Sequence, residues 1–219
     1  MKRACVVPIA IVLLACGHAV PPPAPPADAP AEGGLVLPGA FSEQTAYADL
    51  VQRFGPENVK VVEVSDGPDE TSRVVMLFPD DPTRRATVRF WDGETLQHLA
   101  SVTVKDPESA WRGKLGVRVG TTFAELRRLN VAEFWYTGFY DDGSGTVRDA
   151  WNAGAFDVGE GELLYFGVDL ALRSPPGTDA ATVAPNGEER VSSLDPRYPQ
   201  LGELAVVSAL TAWSSLDDE

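Results

Sequence analysis
From Val59 onward the apolar residues stop following a helical rhythm and alternate with polar ones. This period of two constrains the fold more than any other feature of the chain. In Ala86–Trp91, Ala86, Val88 and Phe90 share one phase while Thr87, Arg89 and Trp91 share the other. In Leu163–Leu172, Leu164, Phe166, Val168, Leu170 and Leu172 alternate in the same way. The breaks between such runs are short and rich in turn residues, as in Ser65-Asp66-Gly67-Pro68, Pro79-Asp80-Asp81-Pro82 and Asp141-Asp142-Gly143-Ser144-Gly145. Short turns join antiparallel neighbours, because a parallel crossover needs a dozen or more residues.

The runs fall into two sets. Val59–Val64, Arg73–Phe78, Ala86–Trp91 and Leu99–Val104 form the first. Phe134–Phe139, Thr146–Trp151, Leu163–Leu172 and Leu204–Trp213 form the second. Each set follows a helical pattern. Ser42 can cap a helix carrying Ala46, Tyr47, Leu50, Val51 and Phe54, closed by Gly55 and Pro56. Thr122 with Glu125 makes a capping box for a second, with Phe123, Leu126 and Leu129 as its stripe, Arg127 and Arg128 at its negative end, and Asn130 to close it. The expected class is therefore α+β: two short helices, each followed by an antiparallel β-meander and each covering its own sheet. An echo of Thr45…Asp49-Leu50…Phe54-Gly55 in Thr121…Glu125-Leu126…Leu129-Asn130, one residue out of step, raises a tandem repeat with halves 42–110 and 111–219. Arg173 to Leu201, rich in Pro, Gly and Asp, reads as a surface excursion.

The N-terminus reads as an address. Lys2 and Arg3 precede an apolar stretch from Ala4 to Ala15, about a dozen residues where a bilayer span needs about 20. Leu13-Leu14-Ala15-Cys16 resembles the bacterial lipobox. The resemblance implies a signal peptide over 1–15, a lipidated Cys16 carrying palmitate-type chains, and, with Gly17 rather than Asp after it, the outer membrane with the domain facing the periplasm. Cys5 leaves with the signal, so no disulfide framework remains. Residues 16–37 are expected to form a tether. Pro21, Pro22, Pro23, Pro25, Pro26 and Pro30 make Ala19–Gly34 an extended spacer reaching roughly 50 Å at about 3.1 Å per residue. The globular part is expected over 38–219. Together with the first helix, Phe78-Pro79-Asp80-Asp81-Pro82 and Gly116-Val117-Arg118-Val119-Gly120-Thr121-Thr122-Phe123-Ala124-Glu125-Leu126, the lipobox resembles a family of uncharacterised Gram-negative lipoproteins over most of residues 42–172. The layout is also similar, at the level of fold alone, to β-lactamase inhibitor proteins and to the small lipoprotein of the outer-membrane barrel assembly machinery.

Catalytic inventory is thin. Thiol chemistry has only Cys16, and His98, beside a turn, is the one His of the globular part. No nucleophile elbow, phosphate loop or nucleotide fingerprint is present. Sites built on several His or Cys are excluded, and Gly143 and Gly145 stand where a calcium loop needs acids. No enzyme activity, cofactor or metal is therefore expected. With 18 Lys and Arg against 32 Asp and Glu, a net charge of −14 excludes electrostatic binding of nucleic acid. The tether keeps so acidic a domain clear of anionic headgroups, whose repulsion fades over roughly 8 Å. What remains is aromatic. Trp91 and Trp135 lie on the polar phase of their strands, and Phe134-Trp135-Tyr136-Thr137-Gly138-Phe139-Tyr140 holds too many rings for one buried face. Trp91, Trp135, Tyr136 and Tyr140 are the candidate binding surface. The expected function is a lipid-anchored, non-enzymatic interaction module whose partners are envelope proteins, basic ones among them. An inhibitor of a cationic enzyme such as a lysozyme is the alternative, and a hydrolase using paired carboxylates the second.

Overall fold
The computed structural model describes residues 34–215 apart from residue 69 and residues 140–143, 160–161, 174–182 and 188–189. The described chain is largely antiparallel sheet with a few short helices. The helices are α1 (Tyr47–Phe54), α2 (Phe123–Asn130) and α3 (Leu201–Leu204). The strands are β1 (Val59–Gly67), β2 (Glu70–Leu77), β3 (Ala86–Asp92), β4 (Gln97–Val104), β5 (Trp135–Thr137), β6 (Ser144–Val147), β7 (Leu164–Leu172), β8 (Arg190–Ser192) and β9 (Ala205–Ser214).

The two expected sheets are one. Seven strands run in the order β1-β2-β3-β4-β9-β7-β6, every pair antiparallel. The last strand of each set meets the other at the centre, with Val102 opposite Ala212 and Thr103 opposite Thr211. The reason is burial on edges as well as faces. Leaving β4 and β9 as separate edges would expose two long rows of unpaired backbone groups. β5 stays out of the large sheet and pairs with β8, which comes from the stretch read as surface excursion. β5 still lies beside β6, where the Thr137 hydroxyl accepts the Thr146 N–H at 2.9 Å in place of a backbone carbonyl.

The two helix entries share one hydrogen bond at the same distance from the helix. Ser42 N–H donates to Thr45 Oγ1 at 2.9 Å, and Arg118 N–H donates to Thr121 Oγ1 at 3.0 Å; both threonines are buried. One constant shift along the chain carries Thr45 to Thr121, Tyr47–Phe54 to Phe123–Asn130, and the left-handed Gly55 to the left-handed Val131. With this shift the last helical residue Phe54 falls on Asn130, without the one-residue slip of the sequence echo. Ser42 does not cap α1. Ala46 is the N-cap, and only the Asp49 carboxylate closes the first turn, accepting the Ala46 N–H at 2.9 Å. Thr122 caps α2 as expected, its Oγ1 accepting the Glu125 N–H at 3.2 Å.

One contiguous core fills the space between the helices and the inner sheet face. On one side Phe41 and Phe54 pack near Phe78 and Trp111. On the other, Phe123, Phe134, Trp151, Phe156 and Phe166 form a chain of rings with neighbouring centroids 4.8–5.8 Å apart. Leu37 belongs to this core with 0% exposure, and its N–H donates to Arg112 O at 2.7 Å. Residues 35–37 thus belong to the fold, before the expected tether boundary, because Leu35 and Leu37 flank a bridge to the strand-like Trp111–Arg112 segment.

Candidate functional site
Alternation gives the sheet two faces with different fates. Val75, Val88, Val102, Ala212 and Phe166 are register neighbours across five strands, and all are buried under the helices. The opposite row runs Met76, Thr87, Thr103, Thr211 and Gly167. Beside it run Arg89, Ser101, Trp213 and Tyr165. No described helix packs on this second face, and most of its side chains are half-buried or exposed.

The bare face is ordered by specific contacts. The Thr103 and Thr211 hydroxyls lie 3.2 Å apart at the central strand pair. A Cβ on Gly167 would stand 2.7 Å from the Trp213 ring and 2.6 Å from Val147 O, so glycine there lets the indole lie against the sheet. Tyr165 stacks on Trp213 at 5.6 Å and 17°. The Arg148 guanidinium sits 5.6 Å from the Trp213 ring centre, an ordinary cation–π distance, and bonds Asp169 at 3.2 Å.

Trp91 is the most exposed of the aromatic residues described, at 49%. Its ring is nonetheless held: Nε1 donates to Ser214 Oγ at 3.0 Å, and the buried Ser214 hydroxyl donates to Leu99 O. Beside it an open groove of about 740 Å³ runs past Ser72, Arg89, Asp92 and Glu94. Its charged groups are already positioned. Arg89 bonds Asp66 at 2.7 Å and Ser72 at 2.9 Å, and this guanidinium, followed by the Ser72 hydroxyl, holds the Asp66 carboxyl below its usual range. Arg73 donates to Glu94 O at 3.0 Å. Hydrogen bonds from Thr95, then from the Glu94 backbone, likewise hold Asp92 low.

Of the four residues singled out from the sequence, the three described are not brought together. Trp91 lies on the bare face. Trp135 is 39% exposed but sits in the small β5–β8 sheet. Tyr136 cannot form a binding surface. It is 2% exposed and packs edge-on against Phe123 at 5.1 Å, and burial, with the nearby Asp195 charge, pushes its phenol well above the usual range. Alternation within β5 explains the split, since Trp135 and Tyr136 must point to opposite sides. Tyr140, and the Asp141-Asp142-Gly143 part of the turn weighed as a calcium loop, lie outside the described residues. The aromatics that do join the face are Trp213 and Tyr165. Their signal was present in the phase opposite to Leu164, Phe166 and Ala212, but it needed the β7–β9 register to be read.

His98 is exposed at the start of β4 with φ 58°. Asp80 bonds Lys60 at 3.1 Å, while Asp81 turns inward to its own loop, so the pair does not converge on a cleft. Among the described residues, no three His, Cys, Asp or Glu side chains gather as a metal site, and no helix is long and apolar enough to cross a membrane. Comparison with family models, with curated proteins and with solved structures finds no match to this chain.

Proposed function
We propose that the chain is a lipid-anchored, non-enzymatic binding module of the cell envelope, tethered through Cys16 and presenting the bare sheet face around Trp91 to a partner protein. One observation carries the reading: a large aromatic is half exposed while its only polar atom is locked into a buried hydroxyl. Mobile exposed side chains lose entropy when a partner immobilises them, and a ring already held loses little. Rigid, partly exposed Trp is the residue type that dominates interface energetics. The anchor rests on the sequence around Cys16, and the outer membrane on Gly17. The matched entries to α1 and α2, with β4 and β9 meeting at the centre, support the further reading that the two halves descend from one duplicated unit. The inhibitor reading gains nothing from this face, whose Arg85, Arg89 and Arg148 are each paired with an aspartate.

Two arms test the proposal. Palmitate labelling and membrane fractionation of Cys16→Ser should show loss of label and of attachment; label that persists removes the anchor. A photo-crosslinking residue at Tyr165 should give a discrete envelope adduct that Trp91→Ala abolishes, while the same probe at Gln52 on α1 gives none. Equal adducts from both positions, or adducts indifferent to Trp91→Ala, would place recognition elsewhere.

A further inference from the structure
A second groove, of about 380 Å³, opens on the same bare face over β1 to β4. Its floor is apolar: Val64, Val74 and Met76 line it. Val74 has 0% exposure yet stands apart from the helix-side core, since it points to the other side of the sheet from Val75. The groove's rim is cationic. Arg85, Arg89 and Lys105 line it with Asp106, and Asp66 bonds Arg89 from outside the lining. Two of the three cations are therefore paired with aspartates, and Lys105 leaves the groove one net positive charge. In a molecule where 32 acids outnumber 18 basic residues, that is a local positive focus over a low-dielectric floor.

The two guanidiniums are oriented from behind. Arg89 is held by Asp66 at 2.7 Å and Ser72 at 2.9 Å. Arg85 donates from Nε to Pro79 O at 3.0 Å and from Nη1 to Asp106 at 3.3 Å. Arg and Lys suit different parts of an anion, the fork binding its oxygens in a plane and the ammonium acting as a point charge. The volume lies near the lower end of the range for small-molecule sites, which runs from about 300 to 1,000 Å³.

We propose that this groove binds a small amphipathic anion, a carboxylate on a short acyl chain, with the chain on the partly exposed Val64 and Met76, above the buried Val74, and the carboxylate between Arg85, Arg89 and Lys105. The site goes beyond the protein-binding surface at Trp91 and touches it only through Arg89, which borders both grooves.

Decanoate below its micellar concentration is the probe, decanol and inorganic phosphate the controls, and the full chain carrying Cys16→Ser the protein. Methyl resonances of Val64, Val74 and Met76 should shift saturably with decanoate. Decanol and phosphate should each bind at least about tenfold more weakly, since one lacks the charge-assisted bonds and the other the apolar body. Lys105→Gln, an exposed position whose change leaves the fold intact, should weaken decanoate about fivefold, and Arg89→Gln about tenfold. Added salt should weaken it further. Trp91→Ala should leave the affinity unchanged, which separates this site from the surface proposed above. No saturable shift, decanol or phosphate matching decanoate, indifference to Lys105→Gln, or loss of binding in Trp91→Ala would each overturn the proposal.

Discussion
Asn130 shows how much one polar residue holds in this fold. It is buried at 0% exposure. Its Nδ2 donates to Ala132 O and Trp151 O, both at 3.0 Å, and its Oδ1 accepts the Phe156 N–H at 3.2 Å. The side chain thus ties the end of α2 to the loop that carries Trp151 and Phe156. Asn130→Ala leaves the Phe156 N–H and the Ala132 carbonyl without partners, while Trp151 O keeps the Gly154 N–H at 3.0 Å; each lost partner costs about 1–3 kcal/mol less any rescue by water. A loss of about 3 kcal/mol in urea unfolding is expected, and a loss below about 1 kcal/mol would mean water replaces the amide. Asp81 works on the surface. Hydrogen bonds from Thr83 and then Arg84 lower its carboxyl to about 2. Its folded value lies below the unfolded one, so it stabilises the fold above pH about 4, and that contribution is lost as the pH falls from about 4 through 2. The melting temperature of Asp81→Asn should therefore fall less steeply than the wild type's over that interval. Parallel curves would show that Asp81 carries none of the acid sensitivity.

At the scale of elements, the ends of the helices are where the two halves differ. Gly55 follows α1 with φ 84°, a conformation glycine adopts freely. At the corresponding place after α2 stands Val131, with φ 67° and ψ −41°. Ala132 N–H donates to Asn130 O at 2.7 Å, so the turn is a tight γ-turn centred on a β-branched residue. Val131 is also 86% exposed, and it lines a groove with Arg127 and Leu194. Left-handed backbone costs an L-residue roughly 1–2 kcal/mol, and little burial offsets it here. Val131→Gly should therefore stabilise the protein by about 1 kcal/mol in denaturant unfolding, less glycine's greater entropy when unfolded. A destabilised Val131→Gly would mean the valine packs on something in solution. The strands were legible by phase, but their limits were not. The run Thr146–Trp151 leaves the sheet after Val147, because Trp151 Nε1 must reach Phe166 O at 2.6 Å inside the core. β8 was invisible among prolines and glycines, since three residues show no period.

For the whole molecule, the sheet makes the two halves inseparable, with β4 and β9 each supplying the other's edge. The N-terminal boundary is equally a property of the whole. A chain beginning at Leu35 keeps Leu37 in the core and its bond to Arg112, whereas one beginning at Pro38 loses both. The shorter chain should be less stable by about 3 kcal/mol, the scale of removing a buried leucine, with a melting temperature lower by several degrees. Equal melting temperatures would return residues 35–37 to the tether. By itself the sequence determined the period-two runs, the α2 cap at Thr122 with Glu125, the turn residues around Asp81, the charge balance, and the phase that turns Trp91 away from Phe90. Each depends on neighbours within a few positions, where backbone geometry alone decides what points where. Tertiary structure decided that two meanders make one sheet, that Tyr136 is buried while Trp213 and Tyr165 join the bare face, and that Arg85, Arg89 and Lys105 share a groove. Those facts rest on which strand lies beside which. Pairing between residues a hundred positions apart is set by the burial of the assembled sheet, and no local pattern carries it.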